Sequence, residues 1–259
     1  MRKYSYYFTS IFRLLFGFRE PLRIILVFLG LRQSGIHPVS LRNPRLRFNL
    51  RSKLDIWTVK ETFLDKFYTR YGTEIQPGWT VVDVGAGVGD FSIYAALTPK
   101  TRVLGYEPHP QSFLLFKLHL VENNIENVSP YNLALSAKSG TIALDTSGDD
   151  PLQFPGLPIQ TTPTDSIQIQ STTLLDVLRD NQLKTIDLLK LDCEGAEYDI
   201  LLTAAPETLA RVKRIVMETH NTDAHTAAEL VDFLHGQGYR VQTWPNAVHP
   251  HLGYLYAQR

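Results

Sequence analysis

The segment Val82-Asp83-Val84-Gly85-Ala86-Gly87-Val88-Gly89 constrains this chain more than any other. An apolar run enters three glycines at alternate positions, and a helical pattern starts at the last of them. Glycines let the backbone turn sharply and lie against a ligand where a Cβ would obstruct. The helix behind them presents free N–H groups to that ligand. Glu107 stands eighteen residues past Gly89, at the end of the next predicted strand, where a carboxylate can accept both hydroxyls of a ribose. Strand, glycine loop, helix, strand and terminal acid in this register point to a nucleoside-containing ligand. A glycine turn of purely structural use is the alternative.

The same alternation continues along the chain. Strands are predicted at 79–84, 102–107, 128–133, 187–192 and 214–218, and helices at 89–97, 110–123, 196–202 and 226–237, with Gly238 capping the last. A terminal antiparallel pair is expected at 239–243 and 253–257. Such a pattern gives an α/β fold, a parallel sheet covered by helices on both faces. Ahead of it, 4–31 reads as one or two helices broken near Gly17 and Pro21, and 36–53 as short strands with basic turns. Residues 55–71 carry Ile56, Val59, Phe63, Phe67 and Tyr68 at helical spacing. The Thr-, Pro-, Asp- and Gly-rich stretch 145–166 breaks the pattern and is read as a lid. The 259 residues thus divide into a basic, apolar N-terminal extension, 1–54, and one domain, 55–259.

Charge divides the chain the same way. Residues 1–53 carry eleven Lys/Arg and one acid, Glu20, a net +10 that the remainder balances with −10. A front end of that sign suits something anionic: a membrane surface, or a phosphate-bearing lipid or glycan. Two readings stay open, peripheral membrane association through residues 1–31 and packing of the segment on its own acidic domain. Packing is the commoner outcome. The acidic body, and the lack of an Asn-Pro-Pro-aromatic motif in the domain, argue against a nucleic-acid partner. The single cysteine, Cys193, cannot form an internal disulfide, which fits a reducing cytoplasm. The apolar run 24–30 has no cleavage site behind it and falls well short of the roughly 20 apolar residues that span a bilayer. The expected location is cytoplasmic, with contact at the inner face of the membrane if the front end binds lipid.

The loop spacing is G-x-G-x-G, with Asp90 where a dinucleotide fingerprint places its third glycine. No Tyr-x-x-x-Lys hydride-site pattern is present either. With Asp83 ahead of the loop, the segment resembles the first motif of Rossmann-like methyltransferases. Leu189-Lys190-Leu191-Asp192-Cys193-Glu194-Gly195-Ala196-Glu197 is similar to the K-[IL]-D-x-E-G-x-E block of FkbM-type methyltransferases. Tyr106-Glu107-Pro108, Asn123-Asn124, Ala134-Leu135-Ser136, Thr172–Asp176 and Met217-Glu218-Thr219-His220 follow in the family's order, so the likeness covers roughly 55–257. Cys193 departs from the family's usual β-branched residue.

The resemblance implies a mostly parallel seven-stranded sheet with a C-terminal antiparallel pair, and S-adenosyl-L-methionine as cofactor. Cofactor contacts are expected from Asp83, Gly85, Ala86, Gly87, Gly89, Glu107, Pro108, Ala134 and Asp192. It further implies transfer of a methyl group to a hydroxyl, on a natural product or on a sugar of a surface glycan, and the basic, apolar front end favours a glycan or lipid-linked acceptor. Such an acceptor needs a base. Asp192, Glu194, Glu218 and His220 end adjacent predicted strands, the usual ligand edge of these sheets, and are the catalytic candidates. His220 has the ordinary pKa for base work near neutrality, although a histidine at a strand end is more often a hydrogen-bonded surface group. Glu197, in the first turn of its helix, reads as a cap acid. The four mouth groups are hard-to-borderline donors, but no metal is expected. His249-Pro250-His251 is taken as a shaping part of the rim. The rival readings are a nicotinamide-dependent oxidoreductase and an inactive, membrane-associated Rossmann-like scaffold.

Overall fold

The computed structural model describes residues 2–28, 31, 35–71, 73–145, 166–221, 224–246 and 252–259. Two helices come first, α1 (Arg2–Gly17) and α2 (Pro21–Phe28), divided at the predicted Gly17 and Pro21. An antiparallel pair follows, β1 (His37–Ser40) and β2 (Arg47–Leu50). Helix α3 (Lys53–Lys60) starts where the Ser52 hydroxyl accepts from the Leu54 and Asp55 amides. It runs into a π-helical turn, Glu61–Asp65, which Lys66 ends in the left-handed region at φ 52°. The helix expected to reach residue 71 therefore stops at that turn. Beyond it come β3 (Thr80–Val84), α4 (Asp90–Ala96), β4 (Arg102–Tyr106), α5 (Pro110–Glu122), β5 (Val128–Tyr131) and β6 (Ala134–Leu135). Next are β7 (Gly140–Asp145), β8 (Ser166–Thr172), α6 (Leu174–Asp180), β9 (Leu188–Leu191), α7 (Ala196–Leu202) and α8 (Pro206–Leu209). The last elements are β10 (Arg214–His220), α9 (Ala227–Gly236), β11 (Arg240–Pro245) and β12 (Leu252–Gln258).

The main sheet has the order β11-β12-β10-β9-β3-β4-β5. Strands β10 to β5 are mutually parallel, and β12 lies antiparallel between β10 and β11. This is the expected Rossmann-like, mostly parallel seven-stranded sheet. From β3 the chain winds outward through β4 and β5, then returns to β9 on β3's other side. The switch point therefore falls between β3 and β9, where open α/β sheets bind ligands.

Two expectations need correction. The third strand does not run from 128 to 133. It ends at Tyr131, because the Asn132 side chain turns back to donate to the carbonyls of Glu107 and Pro108. Ala134–Leu135 then joins a separate three-stranded sheet, β6-β8-β7. Strands β7 and β8, a hairpin the sequence reading missed, flank the predicted lid, of which 146–165 lie outside the described residues. The His249-Pro250-His251 rim also lies outside them.

Alternating side-chain direction gives the sheet two apolar faces. Val81, Val103, Leu188, Val216 and Tyr256 point into one cluster, and Val82, Leu104, Leu189, Ile215 and Ala257 into the other. Leu14, Phe18, Ile24 and Val27, from the N-terminal helices and the turn between them, belong to the first cluster. Backbone bonds from Arg19 to Ser40 and from Arg42 to Gly17, both 2.8 Å, tie these helices to the β1–β2 pair. No helix among the described residues is long and apolar enough to cross a membrane.

Gly89 links loop to packing. Its φ is +86°, and a Cβ there would lie 2.0 Å from the Phe116 ring. Gly89→Ala is expected to lower the urea-unfolding free energy by about 2–5 kcal/mol, from left-handed strain plus overpacking. Adding Phe116→Leu should recover part of that loss in a double-mutant cycle. Additive losses would show that the two positions do not press on each other.

Candidate functional site

Two cavities open at the switch point. The larger, about 720 Å³, lies over the glycine loop and is lined by Gly85, Ala86, Gly87, Glu107, Pro108 and Asp192, among others. Its far wall is the start of α3, Arg51–Asp55. The second, about 510 Å³, is lined by Asp192, Glu194, Glu218, His220, Trp57 and Tyr254, with Tyr6 from α1 at its rim. The two share Leu54, Thr58, Glu61, Asp192 and Glu194 and so meet at the end of β9.

In the larger cavity the three glycines have different reasons to be glycine. Gly85, at φ +71°, passes so close to β9 that a Cβ would stand 1.8 Å from the Asp192 carbonyl oxygen. Gly87, at φ +55°, has nothing within 4 Å of a built Cβ, so only it leaves open space above the loop. Gly89 faces Phe116 and lines neither cavity. Glu107 closes the cradle. Its two carboxylate oxygens accept the Gly87 amide at 2.6 Å and the His109 amide at 2.8 Å, and each keeps a lone pair for a further donor. Burial lifts its pKa to about 7, against the lowering effect of those two amides.

Asp83 and Ala134, two further candidates, line neither cavity. Ala134 is buried in β6. The Asp83 carboxylate is fully buried, 3.1 Å from the Lys190 ammonium, and accepts from the Ser92 hydroxyl at 2.7 Å. Lys190 in turn donates to the Gly85 carbonyl at 2.8 Å and lies 3.8 Å from Asp192. Burial alone would lower its pKa, but Asp83, then Asp192 and Asp90, outweigh burial and raise it.

In the second cavity the four mouth candidates converge as predicted. Asp192 accepts from the Tyr68 hydroxyl at 2.6 Å, and Glu218 from the Asn246 amide at 3.2 Å. His220 sits with Nδ1 3.2 Å from Glu197 and Nε2 3.5 Å from Glu194. Glu197 does more than the predicted cap. Fully buried, it accepts the Cys193 and Gly195 amides, both at 2.8 Å, and faces the imidazole as well. Burial, then Asp192 and Glu61, raise Glu218 to about 8. Burial by itself would lower His220, yet the hydrogen bond and charge of Glu197, followed by Glu194 and Asp192, carry it to about 9. One donor atom each of Asp192, Glu218 and His220 lie within 4.8 Å of one another, a spacing that a divalent cation can bridge.

Lys190, Tyr68, Glu61 and the 51–55 turn had no assigned role at the sequence level. Lys190 had a legible signal: a lone lysine inside the apolar strand Leu188–Leu191 must find a buried anion. The others come from segments distant in sequence, and nothing in their local pattern points to the mouth.

A glycine cradle at a switch point, closed by a buried acid on the second strand, fits the nucleoside end of S-adenosylmethionine, and the fold is that of a Rossmann-like methyltransferase. The methyltransferase FkbM domain model matches residues 83–241, and the chain belongs to that family, whose members use S-adenosylmethionine. This sets aside the nicotinamide reading. The chain is 26% identical over 213 residues to the 31-O-demethyl-FK506 methyltransferase FkbM of Streptomyces tacrolimicus, spanning 70% of this chain and 80% of that protein. It is 28% identical over 220 residues to methyltransferase sdnD of Sordaria araneosa, spanning 70% and 82%. Among solved structures, a precorrin-6y C5,15-methyltransferase from Geobacter metallireducens GS-15 overlays with a TM-score of 0.46 at 16% identity, over 81% of this chain and 90% of that one. That likeness is too loose to bear on the site.

The His220–Glu197 pair has a direct test. NMR titration of His220 should give a pKa near 9, and Glu197→Gln should lower it, because burial then acts with less opposition. Because the folded value is raised, the stability this histidine contributes is complete below about pH 6.5 and is lost as pH rises through about 9. A wild-type value near 6.5 would contradict the pairing.

Proposed function

We propose that the protein is an O-methyltransferase that deprotonates a hydroxyl acceptor at the mouth formed by Asp192, Glu194, Glu218 and His220. The observation that carries this reading is the His220 imidazole. Glu197 engages Nδ1 from inside the protein, which leaves Nε2 turned to the mouth where the two cavities meet. S-adenosylmethionine supplies the activated methyl group. The chain's own residues have the simpler tasks of aligning the acceptor, excluding water and taking one proton. Gly85, Ala86, Gly87, Glu107 and Pro108 hold the nucleoside, and Glu107 accepts from the ribose hydroxyls. Asp192, at the junction, orients the methionine amine or the acceptor hydroxyl. The hydroxyl proton passes to Nε2 of neutral His220, and Glu197 stabilises the imidazolium that results. Asp83 and Gly89 act as positioning residues, the first through Lys190 and the second through Phe116.

The acceptor class we assign is a natural product or a sugar of a surface or lipid-linked glycan. The relative named as a 31-O-demethyl-FK506 methyltransferase supports a hydroxyl acceptor. Trp57, Tyr254 and Leu252 beside the mouth carboxylates support one with both apolar and hydroxylated faces.

Two measurements test the reading. Calorimetry with S-adenosylhomocysteine should show one site per chain, with affinity rising between pH 6 and 8 as Glu107, held near 7, ionises. Glu107→Gln should flatten that dependence and cost about 1–3 kcal/mol. Gly87→Leu should abolish binding, and normal binding by Gly87→Leu would remove the loop from the site. In turnover, His220→Ala should lose roughly 10²–10⁴-fold at unchanged S-adenosylhomocysteine affinity, and the wild-type rate should climb toward pH 9 as the imidazole loses its proton. Asp192→Asn separates its two roles, since only the amine role also weakens cofactor binding. Near-normal turnover in both variants would place the base elsewhere.

A further inference from the structure

Helix α1 has two apolar faces, and only one is used by the fold. Ser10 and Leu14 turn inward, while Phe8, Ile11, Phe12 and Phe16 form an outward stripe at helical spacing. Phe8 is 63% exposed and Phe16 72%, where a packing role would bury them. Helix α2 repeats the arrangement, with Ile24 and Val27 inward and Leu22, at 77% exposure, and Leu26 outward. Among the described residues, nine of the fifteen exposed large apolar side chains lie between Phe8 and Ile36. Scattered exposed leucines are normal on a surface, but this concentration is not.

Charge distinguishes among the partners such a face could have. Arg19, Arg42 and Arg45 are exposed around it, while Arg13 is drawn inward to the buried Asp65 carboxylate, and the Arg42 amide bonds to the Gly17 carbonyl at the end of the stripe. The one acid of this region, Glu20, is engaged with the Ser40 amide. A second copy of the chain, docked about a two-fold axis, would set these arginines against themselves. An anionic lipid surface instead meets both the apolar stripe and the bases. The helices are too short and insufficiently apolar to cross a bilayer, so they would lie along it. Tyr6 and Phe28 pack on Trp57 with centroids 5.7 and 5.9 Å away, an aromatic group of the kind that settles at the headgroup level.

We infer that α1 and α2 dock the protein on an anionic bilayer surface through Phe8, Ile11, Phe12, Phe16, Leu22 and Leu26, with Arg19, Arg42 and Arg45 in the headgroups. Tyr6 of the same helix lines the second cavity, so α1 carries both the docking stripe and a wall of the mouth. The inference does not depend on the acceptor being a hydroxyl.

The test is co-sedimentation of the full chain with vesicles of phosphatidylcholine alone and of phosphatidylcholine mixed with phosphatidylglycerol. Binding to the mixed vesicles is expected, and should be at least about tenfold weaker on neutral vesicles and in high salt. Phe12→Ser/Phe16→Ser should weaken it at least about tenfold, and Arg19→Ser/Arg42→Ser on the order of twentyfold. None of these residues lines a cavity, so S-adenosylhomocysteine binding should persist in both variants and report that they fold. No sedimentation with either vesicle, or equal sedimentation with both, overturns the inference. So does a dimer in size-exclusion chromatography that Phe12→Ser/Phe16→Ser dissociates while vesicles stay unbound, because the face would then belong to a second copy.

Discussion

A buried ammonium holds the active end of this protein together. Lys190 is almost fully enclosed in β9, and removing such a charge from water costs several kcal/mol unless it is paired and hydrogen-bonded. Asp83 on β3 supplies the counter-charge, the Gly85 carbonyl a hydrogen bond, and Asp192 a second, longer-range attraction. The Tyr68 and Phe91 rings complete the enclosure, their centroids 5.3 and 6.0 Å from the ammonium. One side chain thus fixes the glycine loop against the neighbouring strand at the floor of the larger cavity. Asp83, placed by the family's pattern at the ligand, lines neither cavity and is held by Lys190 and Ser92.

The two cavities show one residue type tuned in opposite directions by its surroundings. Burial pushes Glu107 to about 7 and, with Asp192 beside it, Glu218 to about 8. Glu197 is more enclosed than Glu218, and burial alone would raise it too. Its bond to His220 and the amides of its own turn reverse the sign and hold it below the ordinary carboxylate value. The site therefore keeps one carboxylate ionised to support the imidazole and leaves others able to carry protons near neutrality.

Most of the sheet was legible because its signals are local. Buried strands read as apolar runs, Pro110 and Gly238 mark helix ends, and the glycine loop and Glu107 recur at a fixed offset. Errors arose where a long-range bond or a backbone conformation, rather than the local pattern, ended an element. Asn132 bends the chain off β5 by bonding to the Glu107 and Pro108 carbonyls, and the local pattern continues to read as strand. Lys66 ends the helical run at 65 by adopting a left-handed backbone, which no periodicity records. Within the site, groups near the family motifs were found, whereas Tyr68, Glu61 and the 51–55 turn reach it only through the packing of α3. Glu197 was seen as a cap, correctly but incompletely, because its imidazole partner lies 23 residues away.

The position of β12 has a consequence for the order in which the sheet can form. It lies between β10 and β11, and among the described residues β11 pairs with no other strand. Residues 240–245 therefore join the main sheet only when 252–258, their hairpin partner, have aligned along β10. Until then β10 presents an open edge of unpaired amides and carbonyls, the feature that makes nascent sheets adhere to one another. The β11–β12 hairpin rests on local contacts and can form by itself, so its docking along β10 closes this edge in one step.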